Sequence, residues 1–173
     1  TVVDDTGMIV LWEEYIGIDY HSQIQNITQT LSTKFKHSLK QVYCDSTGSQ
    51  DMAVDALKKQ LEFMRIPIIG VVMTAKQKDF MYKNLWSLLH PTMLDGVIVQ
   101  NAMISFTHMY SKEKEKFIKQ MIDLQCEVKG VLWHCHHPDG VSYHDDYPDS
   151  LALACLGIQK TKPNETHHTF RIF

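Results

Sequence analysis

No apolar run in the chain approaches membrane-spanning length, so nothing in the sequence reads as a transmembrane helix. No charged, apolar and small-residue succession marks a secretory signal. The absence of a G-x-x-x-x-G-K-[ST] phosphate loop excludes a nucleotide-driven motor of that type within these residues. Without internal repeats or a low-complexity tract, there is no solenoid, array or obvious linker. Basic residues are not in surplus. With 17 Lys and Arg against 20 Asp and Glu the net charge is −3, so contact with nucleic acid has to rest on a local patch. Cysteine is scarce, and the four present (Cys44, Cys126, Cys135, Cys155) lack C-x-x-C spacing. Three fall within apolar strand or helix patterns, which predicts reduced, buried thiols in an intracellular setting and no disulfide framework.

What is there suffices for one domain: 173 residues, 44% of them hydrophobic, can enclose a substantial core. An opening hairpin is predicted over 2–12, turning at Asp4-Asp5-Thr6-Gly7. Ile24, Ile27, Leu31 and Phe35 recur at helical spacing in a helix over 20–35. A short buried strand, Val42-Tyr43-Cys44, precedes a helix over 52–64 that Asp51 caps and that carries Val54, Leu57, Leu61 and Met64 on one face. The continuous apolar run 67–73 reads as a strand covered on both faces. A helix over 76–89 follows, then a hairpin through Asp95-Gly96, and a polar helix over 112–125 with Phe117, Met121 and Leu124 inward. Residues 127–143 read as a hairpin turning at Pro138-Asp139-Gly140. The last helix covers 150–158, and the tail after Lys162 is expected to be loose or an edge strand. Strands alternating with helices after a hairpin indicate an α/β architecture with a mixed sheet.

Two acidic motifs carry the chemistry. In Tyr43-Cys44-Asp45-Ser46-Thr47-Gly48 a carboxylate ends a strand and turn residues follow at once. In Tyr143-His144-Asp145-Asp146-Tyr147-Pro148 adjacent carboxylates stand ahead of an almost wholly apolar helix. Free N–H groups and the helix dipole favour negative charge there, so Asp145 and Asp146 can stay ionised side by side. Carboxylates gathered from distant parts of a chain suit hard cations such as magnesium and manganese. Each motif also has a plainer reading: Asp45 as a turn aspartate satisfying backbone N–H groups, and Asp145-Asp146 as a helix cap.

In order and spacing these motifs resemble the nuclease domain of viral terminase large subunits, of the tailed-phage and herpesvirus type. That family has a ribonuclease H-like mixed sheet flanked by helices. The resemblance covers nearly the whole chain, from the hairpin through Asp45-Ser46-Thr47-Gly48 and the Lys76/Lys78 helix start to His144-Asp145-Asp146. It departs at one place. Family members carry a first catalytic aspartate on a strand just ahead of the segment with which this chain opens, so that strand is expected to lie upstream of Thr1, together with the ATPase domain. The alternative makes Asp4 or Asp5 that aspartate.

The resemblance implies a two-metal endonuclease that cuts concatemeric double-stranded DNA, working with magnesium or manganese ions (Mg2+ or Mn2+). Asp45 would be the shared ligand, with Asp145 and Asp146 ligating from the other side. His144 would orient a ligand carboxylate or water, and Lys76 and Lys78 would meet DNA phosphate. Solvated helix-start lysines and a surface histidine are the plain alternatives. Implied partners are the terminase ATPase domain, the small terminase subunit and the portal, with no membrane. The implied location is inside the virus's host cell, the cytoplasm if that host is prokaryotic. Other ribonuclease H-like nucleases of the resolvase or transposase type, and a catalytically incomplete DNA-binding or assembly domain, are the competing readings.

Two further runs invite over-reading. Lys112-Glu113-Lys114-Glu115-Lys116 alternates in sign and is simplest as a solvated helix face. In His134-Cys135-His136-His137, strand alternation puts His134 and His136 on one face, with Cys135 and His137 on the other, so at most two could share a zinc ion. In the resembled family this hairpin lies beside the cleft, which implies a DNA-facing or regulatory role.

Overall fold

Alternation along short strands organises the chain into layers. The structure, a computed structural model, describes residues 1–106, 111–138 and 146–158. In strand β1 (Val2–Val3), Val2 packs with one apolar cluster and Val3 with another. Strand β3 (Val42–Asp45) divides in the same way, Val42 and Cys44 to one cluster and Tyr43 to the other. Strand β4 (Ile68–Val71) sends Ile68 and Val71 to opposite clusters. Because successive side chains point to opposite faces, these strands form a middle layer with a core on each side.

One core is built by helices α1 (Tyr20–Lys34) and α2 (Asp51–Gln60), through Ile24 and Leu31 of the first and Leu57 of the second, with Leu39 and Leu61. The larger core belongs to α3 (Ala75–Leu89), α4 (Lys112–Asp123) and α5 (Asp146–Ala154). Met81, Leu85, Leu88, Phe117 and Leu151 are buried there with Val3 and Ile9. Burying each such side chain contributes about 1.5–3 kcal/mol, which is why the apolar stripes decide the layering. Asp19 and Thr74 cap α1 and α3 by accepting from Ser22 and Gln77 N–H groups. Asp51, expected to cap α2, instead lies in its first turn, and the preceding Gln50 makes no side-chain cap bond.

The predicted α/β class is observed. Among the described residues, however, the strands form four small sheets and no single continuous one. Strand β2 (Met8–Leu11) pairs antiparallel with β1 and parallel with a later strand (Ser105–Phe106), while β3 and β4 pair parallel. Gly7, in the turn between β1 and β2, has φ +89°, and a Cβ there would come within 2.3 Å of the Met103 carbonyl oxygen. Only glycine fits that close approach. Strands Thr92–Leu94 and Val97–Gln100 form the hairpin predicted at Asp95-Gly96.

Two expectations are corrected. The later hairpin runs from Gln125–Lys129 to Leu132–His136 and turns at Gly130-Val131, ahead of the predicted Pro138-Asp139-Gly140. Gly130 has φ +66°, the left-handed conformation a two-residue loop needs, and Pro138 follows the second strand. That register sets Cys126 opposite Cys135, and the two form a disulfide, against the expectation of reduced thiols without a disulfide framework. Cys44 and Cys155 are free. The expected tail after Lys162 lies outside the described residues.

Candidate functional site

Asp45 is the last residue of β3, where the chain leaves the sheet. Its Oδ1 accepts from the Thr47 N–H at 2.8 Å, the local turn that an aspartate followed by Ser-Thr-Gly favours. The turn is tied to the end of β4: Ser46 N–H donates to the Val71 carbonyl at 2.9 Å, and Met73 N–H donates to Thr47 Oγ1 at 2.8 Å. Asp45 thus makes the turn contact of the plain reading through one of its two carboxylate oxygens.

Asp146 opens α5, four residues ahead of the predicted helix start at Ser150, and is exposed in its first turn. The start of the helix is anchored from α4, where buried Gln120 accepts the Tyr147 N–H through Oε1 at 3.1 Å. Burial pushes the Tyr147 hydroxyl up to about 12, and the charges of Glu14, Glu113 and Asp146 add to it.

Asp45 and Asp146 line one cavity of about 480 Å³, together with Asp149 one helical turn further along α5. The cavity lies between β1 and β3. Thr1, Val2 and Val3 line it from β1, and Val42, Tyr43 and Cys44 from β3. Ile27, Leu31 and Leu57 close it from the α1/α2 layer, and Ser150, Leu153 and Ala154 from α5. Strand β1 pairs only with β2, and β3 only with β4, among the described residues. The edges that face the cavity are thus unpaired strand edges in the same layer.

Asp149 is already engaged. Its Oδ2 accepts from Lys78 Nζ at 2.7 Å and its Oδ1 from the Tyr82 hydroxyl at 2.6 Å. Lys78, predicted to meet DNA, is ion-paired inside the fold, whereas Lys76 stands exposed in the first turn of α3. Neither Asp149 nor Tyr82 was singled out from the sequence. Their i, i+3 and i, i+4 spacings from Asp146 and Lys78 were the available signal.

The remaining predicted residues separate clearly. Asp145 and His144 lie outside the described residues. Asp4, the alternative first aspartate, is committed to its turn, its Oδ1 accepting from Thr6 N–H at 2.9 Å, Thr6 hydroxyl at 2.7 Å and Met8 N–H at 2.9 Å. Cys135 is consumed by its disulfide, and His137 Nε2 lies 3.1 Å from the Gln120 carbonyl oxygen, its N–H donating. Among the described residues, no three His, Cys, Asp or Glu side chains come together as a metal-holding group. Asp45 and Asp146 supply hard oxygen donors to a common cavity. That donor type fits a hydrated magnesium or manganese ion, and a two-ion centre needs further carboxylates.

The cavity wall also holds two groups perturbed by burial. The Thr1 amino group donates to Ser150 Oγ at 2.9 Å, and burial lowers its pKa from 8.0 to about 6, with nearby Glu13 opposing. Burial pushes Glu13 upward, but hydrogen bonds from Tyr15, Lys34 and Thr30 outweigh it and hold the carboxyl below its ordinary value.

No protein-family model matches the chain, and neither the curated proteins nor the solved structures contain a match. Among the described residues, no helix is long and apolar enough to cross a membrane.

Proposed function

We propose that the chain is a metal-dependent endonuclease domain of the viral terminase type, with a ribonuclease H-like fold, that hydrolyses phosphodiester bonds in concatemeric double-stranded DNA. One observation carries the reading: Asp45 and Asp146, from opposite thirds of the chain, line a single cavity between two unpaired strand edges. Phosphodiester hydrolysis needs an activated water and charge stabilisation on the attacking and leaving oxygens, which two ions about 4 Å apart provide. Asp45 and Asp146, with Asp145 beside them in sequence, would hold the magnesium or manganese ions, and His144 would orient a ligand or water. A strand from ahead of Thr1, seated between β1 and β3, would pair both open edges and bring a further carboxylate to the same end.

DNA approach is supported by the first turn of α3. Lys76 is exposed there and favours phosphate, although the chain carries no basic surplus. An ATPase domain, a small terminase subunit and a portal are the partners this reading brings with it. The reading of a catalytically incomplete DNA-binding or assembly domain keeps one observation in its favour: among the described residues no carboxylate group of three is assembled.

The test is nicking of supercoiled plasmid by a longer polypeptide that carries the segment ahead of Thr1. Cleavage should require magnesium or manganese and disappear with Asp45→Asn or Asp146→Asn. Full activity in either variant would overturn the assignment.

A further inference from the structure

We propose that Asp149, Lys78 and Tyr82 act together as positioning residues that set how α5 presents Asp146 to the cavity; the inference rests on the metal-site reading above. Lys78 and Tyr82 are four apart on α3 and so share one face of it, and Asp146 and Asp149 are three apart on α5. Asp149 reaches α3 with both carboxylate oxygens, at 2.7 Å to the Lys78 ammonium and 2.6 Å to the Tyr82 hydroxyl. A carboxylate held at two points by one rigid helix resists both rotation and sliding of the helix that bears it. A single ion pair would fix one of those two points and leave the other to apolar packing alone.

Burial makes the clamp matter. Tyr82 is 4% exposed, so its hydroxyl needs a partner inside the protein, and Asp149 supplies one. The side chains of Lys78 and Asp149 are 30% and 21% exposed, so this pair is better shielded than a surface pair. Asp149 lines the cavity that Asp45 and Asp146 also line, but its charge is answered from behind by Lys78. Among the described residues, Asp45 and Asp146 make no ion pair. The arrangement leaves these two carboxylates to attract a cation and spends Asp149 on geometry. On this assignment Lys78 acts through Asp149 and does not touch DNA.

The test uses the chain as it stands, with Mn2+ as the probe. Tyr82→Phe and Asp149→Asn should accelerate amide hydrogen exchange in the first turn of α5 and weaken Mn2+ binding several-fold in calorimetry. Lys78→Arg should restore both relative to Lys78→Met. Unchanged first-turn exchange in Tyr82→Phe overturns the clamp. So does unchanged Mn2+ affinity in a variant that melts lower, because a purely structural pair would shift the melt alone. If the unmodified chain binds no Mn2+ while the variants still loosen α5, the clamp stands and the metal-site reading fails.

Discussion

The Thr1 nitrogen and Ser150 Oγ lie 2.9 Å apart, joining the start of β1 to the middle of α5, and both residues line the cavity that Asp45 and Asp146 share. Ser150 Oγ also donates to Thr1 Oγ1 at 3.0 Å. Ser150→Ala removes both contacts and should lower stability by about 1 kcal/mol, read as a lower melting temperature.

Asp45→Asn and Asp146→Asn should leave the metal-free melt unchanged or slightly raised. Each removes a negative charge from a cavity that holds several, and neither leaves a buried group unpartnered. Thermal unfolding without divalent ions checks this. A lost cooperative transition would mean that Asp45 serves the turn alone.

On the proposed reading the chain by itself should bind Mn2+ weakly and cleave plasmid poorly, because a two-ion centre needs carboxylates beyond Asp45, Asp145 and Asp146. Asp4→Asn should cost about 1 kcal/mol, since three donors converge on one carboxylate oxygen, and should leave Mn2+ affinity as it was. Strong plasmid degradation that this substitution abolishes would move the first aspartate to Asp4.

Reduction of Cys126–Cys135 should lower stability by about 2–3 kcal/mol, the entropic value for a closed loop of this length. Thiol titration of the unfolded, unreduced protein should find two thiols, and four after reduction. In the native state both free thiols should react slowly at pH 8, since burial raises Cys44 to about 11 and Cys155 to about 12.

Replacing Gly7 by alanine should cost roughly 2 kcal/mol or more. The left-handed φ and the Met103 carbonyl both oppose a Cβ, and a lowered melting temperature is the readout.

The sequence by itself determined what is local. Apolar spacing in Ile24, Ile27 and Leu31 marks α1, Asp95-Gly96 marks its hairpin, and Asp45 ends a strand because Ser-Thr-Gly follows it. These features depend on helical period and turn chemistry over a few residues, which the residues themselves specify. Tertiary structure alone decided the rest. The turn at Gly130-Val131 and the Cys126–Cys135 bond follow from strand register, which is a choice between whole pairings. Lys78 turned inward to Asp149 because packing set the rotation of α3 against α5, and helical spacing cannot say which neighbour a face will meet. The open edges of β1 and β3 face one cavity for the same reason. Strand pairing is settled by contacts between distant segments, and among the described residues the helices bring β1 and β3 to one cavity without pairing them.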